Sequence, residues 1–223
     1  MKAKNRLLRL LFPPKCVLCR RLLEKDQVYL CPDCMADALD CPTADGRKLT
    51  FLDSWTAIWY YEDRVRRSIL RYKFYGAKGN AACYGKLLAD KLKREHPEGF
   101  DLLTWVPISS LRRLKRGYDQ VELLAEVVGR ELGMEPIPLL KKIRHNKPQS
   151  GIVGYAHRKA NVLGAYRLTE QKIPKEKRIL LLDDVITTGA TVGECARLLL
   201  TAGANEVHCG AVAIARHEDK RSR

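Results

Sequence analysis

The sequence predicts an α/β fold, a mainly parallel sheet flanked by helices, preceded by a small cysteine-rich module. Three observations predict it. Apolar strand patterns alternate with helical ones from about residue 55 to the end, with Gly and Pro between them. Four of the eight cysteines form two C-x-x-C pairs near the amino terminus. The 223 residues, 46% of them hydrophobic, suffice for one well-buried domain of about 150 residues and a smaller module. We place the module at 1–48 and the main domain at 49–223.

Forty-one Lys and Arg against 26 Asp and Glu leave a formal charge of +15. That excess suits phosphate-bearing ligands, single nucleotides or polymers alike, and does not choose between them. No run approaches the roughly 18 apolar residues of a membrane helix. Met1 to Phe12 has some signal-peptide character, but Arg9 splits its apolar core and no small-residue cleavage site follows. We expect a cytoplasmic protein.

Taking the chain in order, Cys16, Cys19, Cys31 and Cys34 come first. Paired C-x-x-C units set thiolates on tight turns, and four such sulfurs complete a tetrahedral zinc site. The alternatives, redox dithiols or a lost site, gain nothing from the neighbouring residues. Cys41 reads as a remnant of a second, reduced site. Cys83, Cys195 and Cys209 fall in helical or strand patterns, as small buried hydrophobes do.

Trp55 to Tyr61 has strand character, and Val65, Ile69 and Tyr72 recur at helical spacing. Lys73 to Gly79 breaks the pattern and reads first as a solvated loop, with Lys73 and Lys78 facing an anion as the alternative. A helix over 81–94 and the strand Leu102 to Val106 follow. Ile108 to Gln120 reads as a basic loop carrying Arg112, Arg113 and Arg116, a site for an anion. A helix over 119–131, ended by Gly133, and a strand near 136–140 come next. The stretch 141–160 holds six cations, two His and no acid, and its Pro and Gly residues argue for a long loop of the lid kind. A strand near 164–168, the strand Ile179 to Leu182, a helix over 192–202 and a last strand over 207–215 complete the pattern.

The most informative stretch is Ile179 to Thr191. Four apolar residues form a strand buried on both faces, and Asp183 and Asp184 mark its carboxyl end. Carboxylates there can accept hydrogen bonds from vicinal hydroxyls or hold a divalent cation. Thr187, Thr188, Gly189, Ala190 and Thr191 then lead into a helix, whose start offers free N–H groups to a phosphate. Sugar hydroxyls beside a phosphate describe a ribose 5-phosphate. An NTPase Walker B strand is the rival, but no P-loop accompanies it.

All thirteen positions from Ile179 to Thr191 resemble the signature of type I phosphoribosyltransferases. That resemblance implies their fold, with phosphoribosyl pyrophosphate (PRPP) as ligand. Asp183 and Asp184 would take the ribose hydroxyls and Thr187 to Thr191 the 5′-phosphate. Arg112, Arg113 and Arg116 would face the pyrophosphate, with Mg²⁺ accompanying PRPP. The family's mobile catalytic loop would include Lys147, Gln149, Arg158 and Lys159.

The order of motifs is narrower still. A zinc ribbon, Tyr72 to Gly76, Val106-Pro-Ile, Arg116-Gly-Tyr-Asp-Gln120, Lys147-Pro-Gln-Ser150, Arg158-Lys-Ala-Asn-Val162 and the signature together resemble the ComF competence family over nearly the whole chain. The resemblance implies a structural zinc, a part in natural transformation and DNA uptake, and single-stranded DNA and a competence helicase as partners. The chain departs from longer members in keeping four clear zinc cysteines, and from many in having Tyr118-Asp119 for Phe-Asn. Two functions stay open: a PRPP-binding factor of DNA uptake, and a phosphoribosyltransferase of nucleotide salvage acting on a nitrogen nucleophile.

Overall fold

The computed structural model describes residues 13–38, 40–41, 47–144, 162–171, 173 and 175–216. Its centre is a parallel sheet of four strands, in the order β1-β6-β5-β2. These are β1 (Ser54–Tyr60), β2 (Leu102–Trp105), β5 (Arg178–Ile186) and β6 (Glu206–Ile214). Strand alternation divides the core in two. Leu180 and Leu182 face one side with Val212, while Ile179 and Leu181 face the other with Cys209 and Ala211. Each of these leucine, isoleucine and valine side chains, wholly removed from water, contributes about 1.5–3 kcal/mol.

The first side is covered by α2 (Asp63–Phe74), α3 (Asn80–Glu95) and α5 (Gln120–Leu132), through Ile69, Tyr72, Tyr84, Leu88, Leu124 and Val128. Helices α3 and α5 touch at Gly85, where a Cβ would fall 2.5 Å from Val127 Cβ, so only glycine allows that approach. The second side is covered by α6 (Ala190–Thr201), through Val192, Cys195, Ala196 and Leu199. Cys83, Cys195 and Cys209 are buried in these layers as expected.

Three segments differ from the sequence reading. The basic stretch after β2 is not all loop, since Ser110–Arg116 forms the short helix α4. The strand expected over 136–140 is displaced. Pro136 and Ile137 pair in parallel with Leu103 of β2, and the regular strand β3 (Leu140–Lys142) begins only afterwards, antiparallel to β4 (Tyr166–Leu168). Pro136 and Pro138 have no N–H to give a regular ladder, which explains the shift. Lys73, finally, lies on the last turn of α2 rather than in a solvated loop.

The cysteine module ends in α1 (Pro32–Asp37), with Cys31 at its amino-terminal cap position. Cys16, Leu18, Leu30, Cys31 and Cys34 join the same core cluster as α2 and α3. Helix α2 also grips the first C-x-x-C turn by hydrogen bonds. Ser68 Oγ donates to the Val17 carbonyl at 2.5 Å, and Arg71 Nη2 donates to those of Val17 and Leu18 at 2.9 and 2.7 Å. Cys41 is buried in the second layer, where its carbonyl accepts from the buried Lys91 ammonium.

Candidate functional site

Strand β5 runs on past its apolar segment, so its alternation sends the two acids to opposite faces. Asp184 turns with Leu180 and Leu182 toward α2 and α5. There Lys73 Nζ lies 2.7 Å from its Oδ1, and Gln120 Nε2 donates to its Oδ2 at 2.7 Å. Asp183 turns to the other face, toward Lys142 and Tyr166, and its Oδ1 accepts the Asp184 N–H at 2.8 Å. Burial, with the charge of Asp184 added, pushes the Asp183 carboxyl up to about 8. Burial alone would make Lys73 less basic. The two adjacent carboxylates, Asp184 first, reverse this and hold its ammonium above the usual lysine value.

The segment Arg116 to Gln120 supplies the next wall. Gly117 ends α4, and Asp119 caps α5 by accepting from Val121 and Glu122 N–H at 2.9 and 3.3 Å. Its second oxygen accepts the Ile108 N–H at 3.0 Å, tying the turn after β2 to the helix start. Tyr118 packs on Tyr72 and donates to its backbone carbonyl. Gln120 bridges Asp184 to Arg116, whose Nη1 donates to its Oε1 at 2.6 Å. Each residue of the motif thus fixes a turn, a helix or a charged group.

After β5 the chain turns through Thr187 and Thr188 to Gly189, whose φ of +79° requires the left-handed region. A Cβ there would also fall 2.6 Å from Leu49 Cδ2. Helix α6 starts at Ala190, at the carboxyl end of the sheet, where open α/β sheets hold ligands.

These segments enclose a cavity of about 260 Å³, lined by Lys73, Arg112, Arg116, Lys142, Asp183 and Asp184, with Thr187 and Thr191 at the loop. A concavity of about 400 Å³ beside His96 and Phe100 is larger but has no acid pair or phosphate loop. Of the three arginines chosen from sequence, Arg112 and Arg116 line the cavity. Arg113 instead pairs with Glu122 at 2.9 Å on the outer side of α4. Burial lowers the basicity of both Arg116 and Lys142, and the charge of Arg112 adds to both effects.

Sequence reasoning missed Gln120 and Lys142 as cavity residues, and Lys73 lines the cavity although a solvated loop was its first reading. Gln120 lies inside a conspicuous motif, and β3 alternation from buried Leu140 would have found Lys142. Lys147, Gln149, Arg158 and Lys159 lie outside the described residues.

The four cysteine sulfurs lie within 4.8 Å of one another, with Cys19 Sγ 3.6 Å from Cys31 Sγ. Four bonds of about 2.3 Å to a tetrahedral zinc place the sulfurs about 3.8 Å apart, so this donor set fits zinc. Arg64 Nη1 approaches Cys34 Sγ at 3.5 Å and Asp37 Oδ2 at 3.0 Å, linking α2 to the second cysteine pair. Burial opposes ionisation of Cys16, yet backbone N–H groups in the turns bring its thiol down to about 7.

Residues 121–223 match the phosphoribosyl transferase domain. Competence protein ComFC of Streptococcus pneumoniae is 31% identical over 195 residues, covering 86% of this chain and 84% of that protein. The chain belongs to the ComF family. Another ComF relative, competence protein F of Haemophilus influenzae, is 27% identical, with 86% and 93% of the two chains covered. DNA utilization protein YhgH of Salmonella typhimurium is 29% identical, with 86% of each covered. Among solved structures, adenine phosphoribosyltransferase of Saccharomyces cerevisiae aligns over 82% of this chain and 86% of that one. Its identity is 18% and its TM-score 0.39. The ComF chain thus joins a type I phosphoribosyltransferase domain to a four-cysteine cluster of zinc geometry. Among the described residues, no helix is long and apolar enough to cross a membrane.

Proposed function

We propose that this cavity binds Mg²⁺·PRPP and that the protein serves DNA uptake in natural competence, working on imported single strands in the cytoplasm. One observation carries the reading. Three motifs far apart in sequence, Tyr72 to Gly76, Arg116 to Gln120 and Asp183 to Thr191, meet around one cavity through Lys73, Gln120 and Asp184.

Each part of PRPP has a matching group there. The N–H groups at the start of α6, with Thr187 to Thr191, suit the 5′-phosphate. Asp183 and Asp184 suit the ribose hydroxyls, and Arg112 and Arg116 the diphosphate. Arg113 would join them only by leaving Glu122. A bound Mg²⁺ would neutralise diphosphate charge, and Asp183, facing the cavity, is the carboxylate suited to hold it. Lys147, Gln149, Arg158 and Lys159 would close over the ligand. Residues 1–48 would form the ribbon around a structural zinc, and 49–223 the catalytic or binding domain.

If the protein is also an enzyme, a nitrogen nucleophile attacks C1 of the ribose as the bond from C1 to diphosphate oxygen breaks. The nitrogen then loses its proton, and diphosphate leaves with the bonding electrons. Preorganised cations beside the leaving group favour that step.

A specific feature favours the nucleic-acid role. Phe74 and Tyr75, 59% and 79% exposed, stand next to Lys73 at the end of α2, with the Arg116 guanidinium 4.7 Å over the Phe74 ring. Exposed rings among cations form platforms on which single-stranded bases stack. Calorimetric titration with PRPP and Mg²⁺, followed by a screen for pyrophosphate release, tests the proposal. Binding with release supports the enzyme, binding without release the nucleic-acid factor, and no binding refutes the PRPP reading.

A further inference from the structure

We propose that Lys73 works by exchange: it pairs with Asp184 until Mg²⁺·PRPP enters, and then becomes a ligand of the diphosphate. The inference rests on the PRPP reading of the cavity and adds a residue and a coupling to it.

Both carboxylate oxygens of Asp184 already have protein partners. Its Oδ1 holds Lys73 and its Oδ2 accepts from Gln120, both at 2.7 Å, and its side chain is 6% exposed. A carboxylate so paired is poorly placed to take a ribose hydroxyl or share a divalent cation. One partner has to leave first. Gln120 is anchored, because it opens α5 directly after its Asp119 cap, is 3% exposed, and holds Arg116 through its other amide atom. Lys73 carries its ammonium on a flexible four-carbon stem with three donors, and lies on the cavity wall. Lys73 is therefore the partner that moves.

An ammonium displaced from a carboxylate in a largely buried site needs another anion nearby. PRPP brings one at the moment its ribose takes the acid, since the diphosphate is attached to the same sugar. The backbone under Lys73 stays fixed meanwhile. Ser68 and Arg71 hold α2 to the first cysteine turn, and the preceding residue, Tyr72, donates through its hydroxyl to the Gln120 carbonyl. Only the side chain has to swing.

The exchange makes two affinities move in opposite directions when Lys73 loses its charge. With full-length protein, Mn²⁺ alone is titrated by electron paramagnetic resonance and Mg²⁺·PRPP by calorimetry. Lys73→Met removes the ammonium that competes with a metal cation for the acids, so Mn²⁺ should bind roughly fivefold or more tightly. The same variant loses a charged donor to the diphosphate, so PRPP should bind roughly tenfold to a hundredfold more weakly. Lys73→Arg, which keeps the charge, should restore part of the PRPP affinity and none of the Mn²⁺ gain. Zinc content and the unfolding midpoint check folding, and Lys73→Gln replaces a poorly folded Met variant.

Parallel loss of both affinities in a folded variant would overturn the exchange and leave Lys73 a structural residue. Unchanged PRPP affinity would overturn it too. If the wild-type protein itself binds no PRPP, the functional reading fails, and the diphosphate half of this proposal fails with it. Wild-type binding with no change in the variant sinks the exchange alone.

Discussion

Gln120 Nε2 donates to Asp184 Oδ2 at 2.7 Å across 64 residues of sequence, while its Oε1 accepts from Arg116. One amide thus fixes the distance between Asp184 and Arg116, the proposed sugar acid and diphosphate cation. Replacing it by leucine keeps the volume and strands a buried carboxylate oxygen. We expect Gln120→Leu to cost about 1–3 kcal/mol of stability and to weaken PRPP about tenfold. Chemical unfolding and titration of the variant check both, and unchanged PRPP affinity would show that the bridge is not needed.

The cap at Asp119 gives a stability test outside the ligand contacts. Asp119→Ala removes bonds from Val121, Glu122 and Ile108 N–H groups, and should cost about 2–3 kcal/mol. Asp119→Asn keeps the helix cap but has one acceptor oxygen, so it should lose less than alanine does. Denaturant midpoints at constant m-value order the three proteins, and an alanine variant as stable as wild type would contradict the assignment.

How far the sequence alone reaches can be judged from these residues. The parallel sheet, the acid pair after the apolar run of β5 and the cysteine cluster were legible because each has a local pattern: alternating strand and helix runs, two acids behind four apolar residues, a C-x-x-C spacing. Lys73 was legible only as the less favoured, anion-facing alternative, because its meaning depends on α2 and β5 packing together, and a lysine near glycines looks solvated when read locally. Arg113 and Arg116 looked equivalent in a run of cations. Helical geometry turns one to Glu122 and the other to the cavity. Prolines 136 and 138 displaced a strand that hydrophobicity alone had placed two to four residues early.

Zinc content is the next test. Purified protein should hold about one zinc per chain, and Cys16→Ser or Cys31→Ser should lower it together with the yield. Because Val17 and Leu18 carbonyls anchor Ser68 and Arg71, loss of the metal should also loosen α2. Elemental analysis with hydrogen exchange over α2 reads both. Full zinc occupancy in a Cys16→Ser/Cys19→Ser protein would refute the site.

Acidity supplies a test with a defined sign. The Asp183 carboxyl is raised to about 8 by burial, so a divalent cation must displace its proton at lower pH. Mn²⁺ affinity of the PRPP-free protein should rise with pH, by up to about tenfold per unit below that value, and level off above it. Asp183→Asn should flatten the profile. A wild-type profile that is flat across this range would contradict the assignment of Asp183.

Polymer binding is separable by salt. If single strands lie on the basic surface, oligonucleotide affinity should fall with salt at about −0.7 per neutralised phosphate. Replacing Lys141, Arg144 and Lys147 with Gln should flatten the slope by up to about two units if each contacts a phosphate. PRPP should show a shallower dependence. No oligonucleotide binding at low salt would exclude direct contact with DNA.

The central claim is that the acid pair makes this cavity a PRPP site, and calorimetric titration of Mg²⁺·PRPP into wild type and Asp183→Asn/Asp184→Asn tests it most directly. The wild type should bind saturably, at about one PRPP per chain. The double variant, with folding checked by its zinc content and circular dichroism, should bind about one to two orders of magnitude more weakly. Equal affinities in two folded proteins, or no heat of binding in either, would contradict the account.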